Sequence, residues 1–222
     1  MKVLTTTASL LFFTVACFGQ HHFSIDKASK KYNASISVST CEDGTCEGKG
    51  VITLTDKMGK PVQVLRSADL YFFLDSTQRP TANIIQLYNE QSPLIFDDFN
   101  FDGQEDLAIR NGNNSGYGGP SYDVYVFNSS KNKFVLSKEL TVLATENLGM
   151  FETDHKTNRL TTYGKSGCCW HITTEYSVVP KKGLVKVGEV TEDATGEKVI
   201  ITTRKLVNNK WVKTVRKEKK DV

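Results

Sequence analysis

The sequence predicts an all-β protein. Short apolar segments, many of them alternating, recur along the chain between clusters of Asn, Asp, Gly, Ser and Pro. Those turn signals return about every eight to twelve residues, the spacing of a sandwich, barrel or propeller. No stretch keeps the long 3.6-residue apolar period of an amphipathic helix. The length of 222 residues, 39% hydrophobic and 24% charged, suits one globular domain with a real core, or one domain plus a small extension.

Residues 1–19 read as a secretory signal peptide. Lys2 gives a positive start, and Leu10-Leu11-Phe12-Phe13 with Val15 and Ala16 forms a short apolar core. Cleavage by signal peptidase near Gly19 is the expected route. Val15-Ala16-Cys17 also forms a degenerate lipobox, with Thr14 where Leu is usual. The expected location is therefore periplasmic or secreted in a bacterium, and lipidation of Cys17 would instead give an outer-membrane lipoprotein. A membrane is a partner only in that second case.

The rest divides into an N-terminal extension with a β-hairpin, residues 20–60, and a calcium-binding β domain, residues 61–222. Gln20-His21-His22 reads as an unstructured start. Strands are expected at Ala34 to Val38, Val51 to Leu54, Val62 to Leu65, Leu70 to Leu74 and Ile84 to Tyr88. Further strands are expected at Tyr122 to Phe127, Phe134 to Leu136, Leu140 to Leu143, Leu160 to Tyr163 and Thr173 to Val179. Leu184 to Val187, Val199 to Thr203 and Lys210 to Val215 complete the series. Short helices compete at residues 66–72 and 138–146. The basic cluster from Lys213 to Lys220 reads as a solvated, frayed end. A net charge of +3, mixed along the chain, argues against nucleic acid as a partner.

Five cysteines minus Cys17 leave four, an even number suited to an oxidising compartment. Cys41 and Cys46 enclose Glu-Asp-Gly-Thr, a hairpin-turn composition, and are expected to pair. Cys168 and Cys169 are adjacent. They either pair with each other or bridge to the N-terminal pair.

The most specific stretch is Asp98-Phe99-Asn100-Phe101-Asp102-Gly103-Gln104-Glu105-Asp106. Calcium wants six to eight hard oxygens at loose geometry, and a wrapping loop turns every second side chain inward. Asp98, Asn100 and Asp102 supply that alternation, and Gly103 permits the turn. Gln104 would contribute its backbone carbonyl, and Asp106 would close the shell. Position 12 holds Ile109 where an EF-hand has Glu, so an EF-hand is excluded. Leu94-Ile95-Phe96 and Leu107-Ala108-Ile109 flank the loop as short buried strands. The loop is similar to those joining strands in the β-propeller repeats (FG-GAP-like) of integrin α-subunits.

One strand later comes Asn111-Gly112-Asn113-Asn114-Ser115-Gly116-Tyr117-Gly118-Gly119-Pro120-Ser121-Tyr122. It reads as a surface loop with one aromatic, Tyr117, set among glycines. An exposed Tyr gives large contact area at low side-chain entropy.

Leu94 to Asp106, followed by Gly116 to Tyr122, resembles the exported bacterial immunity proteins that inhibit lysozyme-like effectors delivered by type IV secretion. Gly167-Cys168-Cys169-Trp170-His171 with Tyr176 is similar to that group as well. The resemblance covers roughly residues 60–180. It implies a calcium-binding, β-propeller-like fold with degenerate blades; a β-sandwich is the alternative. It also implies that a loop tyrosine enters the enzyme's cleft. Tyr117, between Gly116, Gly118 and Gly119, is the matching position, with Tyr122 as the other candidate. The partner implied is a lysozyme-like glycoside hydrolase.

An enzyme is not expected. The chain holds no G-x-S-x-G or H-E-x-x-H, and His171 alone carries no mechanism. The competing reading is a secreted or surface module, stabilised by calcium, that binds some other protein.

Overall fold

The computed structural model describes residues 20–25, 28–88, 90–180 and 182–220. The expected signal peptide, with Cys17, lies outside the described residues.

Strand follows strand in three antiparallel meanders, and none closes into a barrel. The first holds β1 (His21–Ile25), β2 (Tyr32–Glu42), β3 (Thr45–Asp56) and β4 (Pro61–Phe73) in that order. The second holds β5 (Leu94–Asp97), β6 (Asp106–Arg110), β7 (Tyr122–Asn128) and β8 (Lys133–Leu136). A helix, α1 (Lys138–Thr145), leads to the third. That sheet holds β9 (Glu152–Asp154), β10 (Arg159–Ser166), β11 (Trp170–Val179), β12 (Gly183–Asp193), β13 (Lys198–Val207) and β14 (Lys210–Lys219).

Turn chemistry fixes the registers. Asp43 and Gly44 join β2 to β3 with φ of 49° and 78°, the left-handed pair that a two-residue hairpin needs. Cys41 therefore falls opposite Cys46, and the two are bonded. Asn208 and Asn209, at 50° and 59°, do the same between β13 and β14.

The second sheet is the middle layer. Leu94, Phe96, Leu107 and Ile109 point to one core, shared with Ile36, Val38, Ile52, Leu54, Leu70 and Phe72 of the first sheet. Ile95, Ala108, Tyr122 and Val124 point to the other core, with Leu140, Leu143 and Ala144 of α1, Phe151, and Leu160 of β10. Strands covered on both faces need apolar residues on both, which is why Leu94 to Phe96 and Leu107 to Ile109 read as continuous runs.

Several expectations are corrected. Residues 66–72 are strand, not helix. An extra residue on β4 opposite Gly48 to Gly50 shifts the register. The shift moves the buried parity from Leu65 and Ser67 to Leu70 and Phe72, which hid the two-residue period. Leu140 to Leu143 is helix rather than strand. Ser137 caps it by accepting from the Leu140 amide, and Leu140, Leu143 and Ala144 form its buried face. Ile84 to Tyr88 is not a strand, and only Ile85 makes a bridge, to Gln91. The Asn83 side chain takes over part of the ladder, its Oδ1 accepting from the Phe96 amide at 2.7 Å.

The first and last described segments are both strands. His21–Ile25 pairs with β2, and the basic tail forms edge strand β14, exposed along its whole length. The turn at residues 57–60 joins β3 to β4, so the first sheet runs continuously across residue 60.

Candidate functional site

The acidic stretch forms the β5–β6 connection. Asp98 accepts from the Asp102 amide at 3.0 Å and from the Gly103 amide at 2.7 Å. Asn100 Oδ1 also accepts from the Asp102 amide at 3.0 Å, and Asp102 Oδ1 from the Gln104 amide at 2.8 Å. Gly103, at φ 82°, makes the turn that lets these side chains fold back on the loop. Asp98, Asn100 and Asp102 all turn onto the loop's own amides.

Asp106 stands apart in burial. It is fully buried at the start of β6, accepting from the Phe99 amide at 3.0 Å and the Phe127 amide at 2.8 Å. Burial pushes its pKa up to about 7; the neighbouring carboxylates Asp102 and Asp98 add to the rise, and the two amide bonds oppose it. The Gln104 side chain accepts from Lys31 Nζ at 3.0 Å, which leaves its carbonyl as the group available to an ion.

This donor set is all oxygen, which suits calcium rather than a softer metal. Each Asp106 oxygen keeps a second lone pair beyond its amide bond. Among the described residues, no three His, Cys, Asp or Glu side chains converge as a metal cluster. The calcium set would therefore have to rely on Asn100 and a backbone carbonyl as well as the carboxylates.

The glycine-rich loop joins β6 to β7. It lies at the end of β6 opposite the acidic loop, about 13 Å away along a five-residue strand. The loop has its own anchors. Asn111 donates its amide to Ser121 O at 2.8 Å, and Ser121 Oγ donates to Asn111 O at 2.5 Å. Gly116 donates its amide to Asn147 O at 2.9 Å. Arg110 reaches Asn113 Oδ1 at 2.5 Å while its guanidinium stacks over Tyr71. Four glycines do not make this loop slack.

Gly116–Gly118 forms one 3-10 turn, with Tyr117 at φ 58°, ψ 29°. A bulky residue in the left-handed region is uncommon, and such positions concentrate at functional sites. Tyr117 is 64% exposed. Its hydroxyl accepts from the Gly167 amide at 2.7 Å. Gly167 precedes the bonded pair Cys168–Cys169 in the β10–β11 turn. The tyrosine loop and the cysteine turn, separate in the sequence, are thus one surface.

Tyr122 is corrected. It is fully buried in β7, its hydroxyl donating to Ser92 O at 2.8 Å, and burial holds its pKa well above the ordinary phenol value. A core residue offers no surface contact, so the expected contact falls to Tyr117.

Sequence reasoning missed Tyr88 and Lys165. Lys165 Nζ lies 4.7 Å from the Tyr117 ring centroid and 4.8 Å from that of Tyr88. Nothing local marks either residue, because the contacts join three distant segments. It also missed His155, whose Nε2 meets Asp97 Oδ1 at 2.6 Å and whose ring meets Phe101 edge-on. This pair docks the β9–β10 turn on the acidic loop.

No helix among the described residues is long and apolar enough to cross a membrane. No protein-family model matches the chain. No curated protein is found to be similar to it. Among solved structures it is similar to a Xanthomonas type IV secretion system related protein, with a TM-score of 0.65 and 23% sequence identity over 87% of this chain and 92% of that one. At that identity, what the two chains share is the fold.

Proposed function

We propose that this is an exported calcium-binding protein that inhibits a lysozyme-like peptidoglycan hydrolase by placing Tyr117 in its active cleft. The observation that carries the reading is Tyr117 itself: an exposed phenol in a left-handed conformation, on a loop pinned from both sides. The similarity in fold to a type IV secretion system related protein supports it. So do the four cysteines, which are bonded in two pairs as an oxidising compartment such as the periplasm favours. In this reading the three sheets are degenerate blades of a propeller-like fold, and the protein is not itself an enzyme.

The chemistry follows from the hydroxyl. A phenol has one proton to donate and two lone pairs. Gly167 takes up one lone pair from the protein side, which leaves the O–H to donate outward. Lysozyme-like enzymes place two carboxyl groups across the scissile bond. A phenol donating to one of them blocks general acid–base work, while the ring fills a sugar subsite. The pinned loop lowers the ordering cost of docking.

The calcium ion would be held by Asp98, Asn100, Asp102, the Gln104 carbonyl and Asp106, and would fix the β5–β6 connection. Its charge would offset the repulsion among Asp98, Asp102 and Asp106.

The test is the turbidity loss of peptidoglycan by lysozymes of several families, with wild type and Tyr117→Ala. Truncation of a buried aromatic anchor is expected to weaken inhibition by ≥ ~2 kcal/mol, roughly thirtyfold. A wild-type protein inactive against every family would remove the inhibitor reading and leave a calcium-stabilised module that binds another protein.

A further inference from the structure

Lys165 carries an unspent charge. Its side chain is partly buried on β10, yet it forms no ion pair among the described residues. The ammonium sits over two tyrosine faces, Tyr117 at 4.7 Å and Tyr88 at 4.8 Å. Both tyrosines are exposed, and both have left-handed backbones, φ 58° and 64°. A shallow pocket of about 280 Å³ joins them, with Gln91, Leu148 and Pro120 in its walls.

A ring face attracts the positive charge but uses none of the three N–H groups as a conventional hydrogen bond. The stack therefore fixes the ammonium in place and leaves its donors for something else. A lysine free in solvent must be ordered on binding; this one is ordered already. The group that matches a fixed ammonium beside a phenol O–H is a carboxylate.

We infer that Lys165 is a second anchor of the Tyr117 surface, and that Tyr88, Lys165 and Tyr117 together recognise a carboxylate-lined cleft. This rests on the proposed function for the identity of the partner. It goes beyond that function in assigning the electrostatic part of recognition to Lys165 and its positioning to Tyr88. In that arrangement one cleft carboxylate accepts from Lys165 Nζ and the other from the Tyr117 hydroxyl.

The experiment compares wild type, Lys165→Met, Lys165→Arg and Tyr88→Ala as lysozyme inhibitors at low and high salt, after equal melting curves establish folding. Lys165→Met should weaken inhibition roughly tenfold at low ionic strength, because charge complementarity acts on both encounter and docking. The difference should shrink at about 1 M salt, where the screening length falls to about 3 Å. Lys165→Arg should restore most of the loss, and Tyr88→Ala should give an intermediate one. Equal inhibition by Lys165→Met and wild type at low salt overturns the inference. A second arm needs no enzyme. Sodium acetate, at constant ionic strength against chloride, should shift the Tyr117 and Gly167 NMR signals in wild type but not in Lys165→Met. If no lysozyme responds but acetate gives this shift, the inhibitor reading falls and the carboxylate anchor stands. If wild type shows no acetate-specific shift, the anchor falls, whatever the inhibition assay shows for Tyr117.

Discussion

The Tyr117 hydroxyl accepts the Gly167 amide at 2.7 Å across fifty residues of sequence. One hydrogen bond thereby ties the glycine-rich loop of the middle sheet to the cysteine turn of the third. The bond changes what a Phe variant measures. Tyr117→Phe removes the outward donor and also unties the loop. Amide exchange at Gly167 should accelerate in Tyr117→Phe, while global stability falls by no more than ~0.5–1.5 kcal/mol. The low end is expected because both groups are exposed. Unchanged protection at Gly167 would mean that the bond does not hold the turn.

Calcium should bind only the folded chain, since Asp98 and Asp106 are brought together by β5 and β6. A ligand present at a hundred times its dissociation constant stabilises by ~2.7 kcal/mol. For a chain of this size that is a rise of roughly 5–10 °C in melting temperature. Excess chelator should remove the rise, and Asp102→Ala should abolish the response. Identical melting curves with calcium and with chelator would remove the ion from the proposed function. They would leave the Tyr117 surface untouched, because it lies at the other end of β6.

Stability should also depend on pH when calcium is chelated. In the fold Asp106 titrates near 7, raised chiefly by burial, whereas an unfolded Asp titrates near 4. Between those values the native state holds a proton that the unfolded chain has released. Stability is therefore fully present below about pH 4 and falls as pH rises to about 7, by ~4 kcal/mol at the extreme. Asp106→Asn should flatten this slope, because a neutral amide has no proton to lose. Urea unfolding of both proteins in chelator from pH 4 to 8 gives the comparison. A wild-type profile that rises with pH over this range would contradict the assignment.

What the sequence disclosed was local. Asp43-Gly44 announced its hairpin, and with it the opposition of Cys41 and Cys46, because two left-handed residues leave few choices of register. Leu94 to Phe96 and Leu107 to Ile109 announced short buried strands, and the two cores on either side of them are the reason that both faces are apolar. The alternating oxygens from Asp98 to Asp102 announced a wrapped loop. What it concealed depended on packing. Tyr122 and Tyr117 stand five residues apart in one loop sequence, and only the start of β7 decides that one is core and the other surface. Lys165 became notable only when Tyr88 and Tyr117 arrived from elsewhere. The strand at His21–Ile25 has polar neighbours and no turn signal, and it exists because β2 offers an edge.

The two disulfides should contribute unequally. Cys41–Cys46 joins two strands and closes a six-residue loop, and Cys46 is fully buried. Loop-closure entropy for six residues amounts to ~2 kcal/mol. Cys41→Ser/Cys46→Ser should lose about that much, and more if the buried hydroxyl lacks a partner. Cys168–Cys169 joins neighbours, so it restricts the unfolded chain very little; Cys168 is exposed and Cys169 half-buried. Cys168→Ser/Cys169→Ser should scarcely move the melting temperature. Its effect should appear locally instead, as faster exchange at Gly167 and weaker inhibition, because the turn that holds the Tyr117 hydroxyl has lost its constraint. Non-reducing peptide mapping establishes the pairing first. A large loss of global stability from the second double variant, with Gly167 exchange unchanged, would show that this pair serves the fold and not the Tyr117 surface.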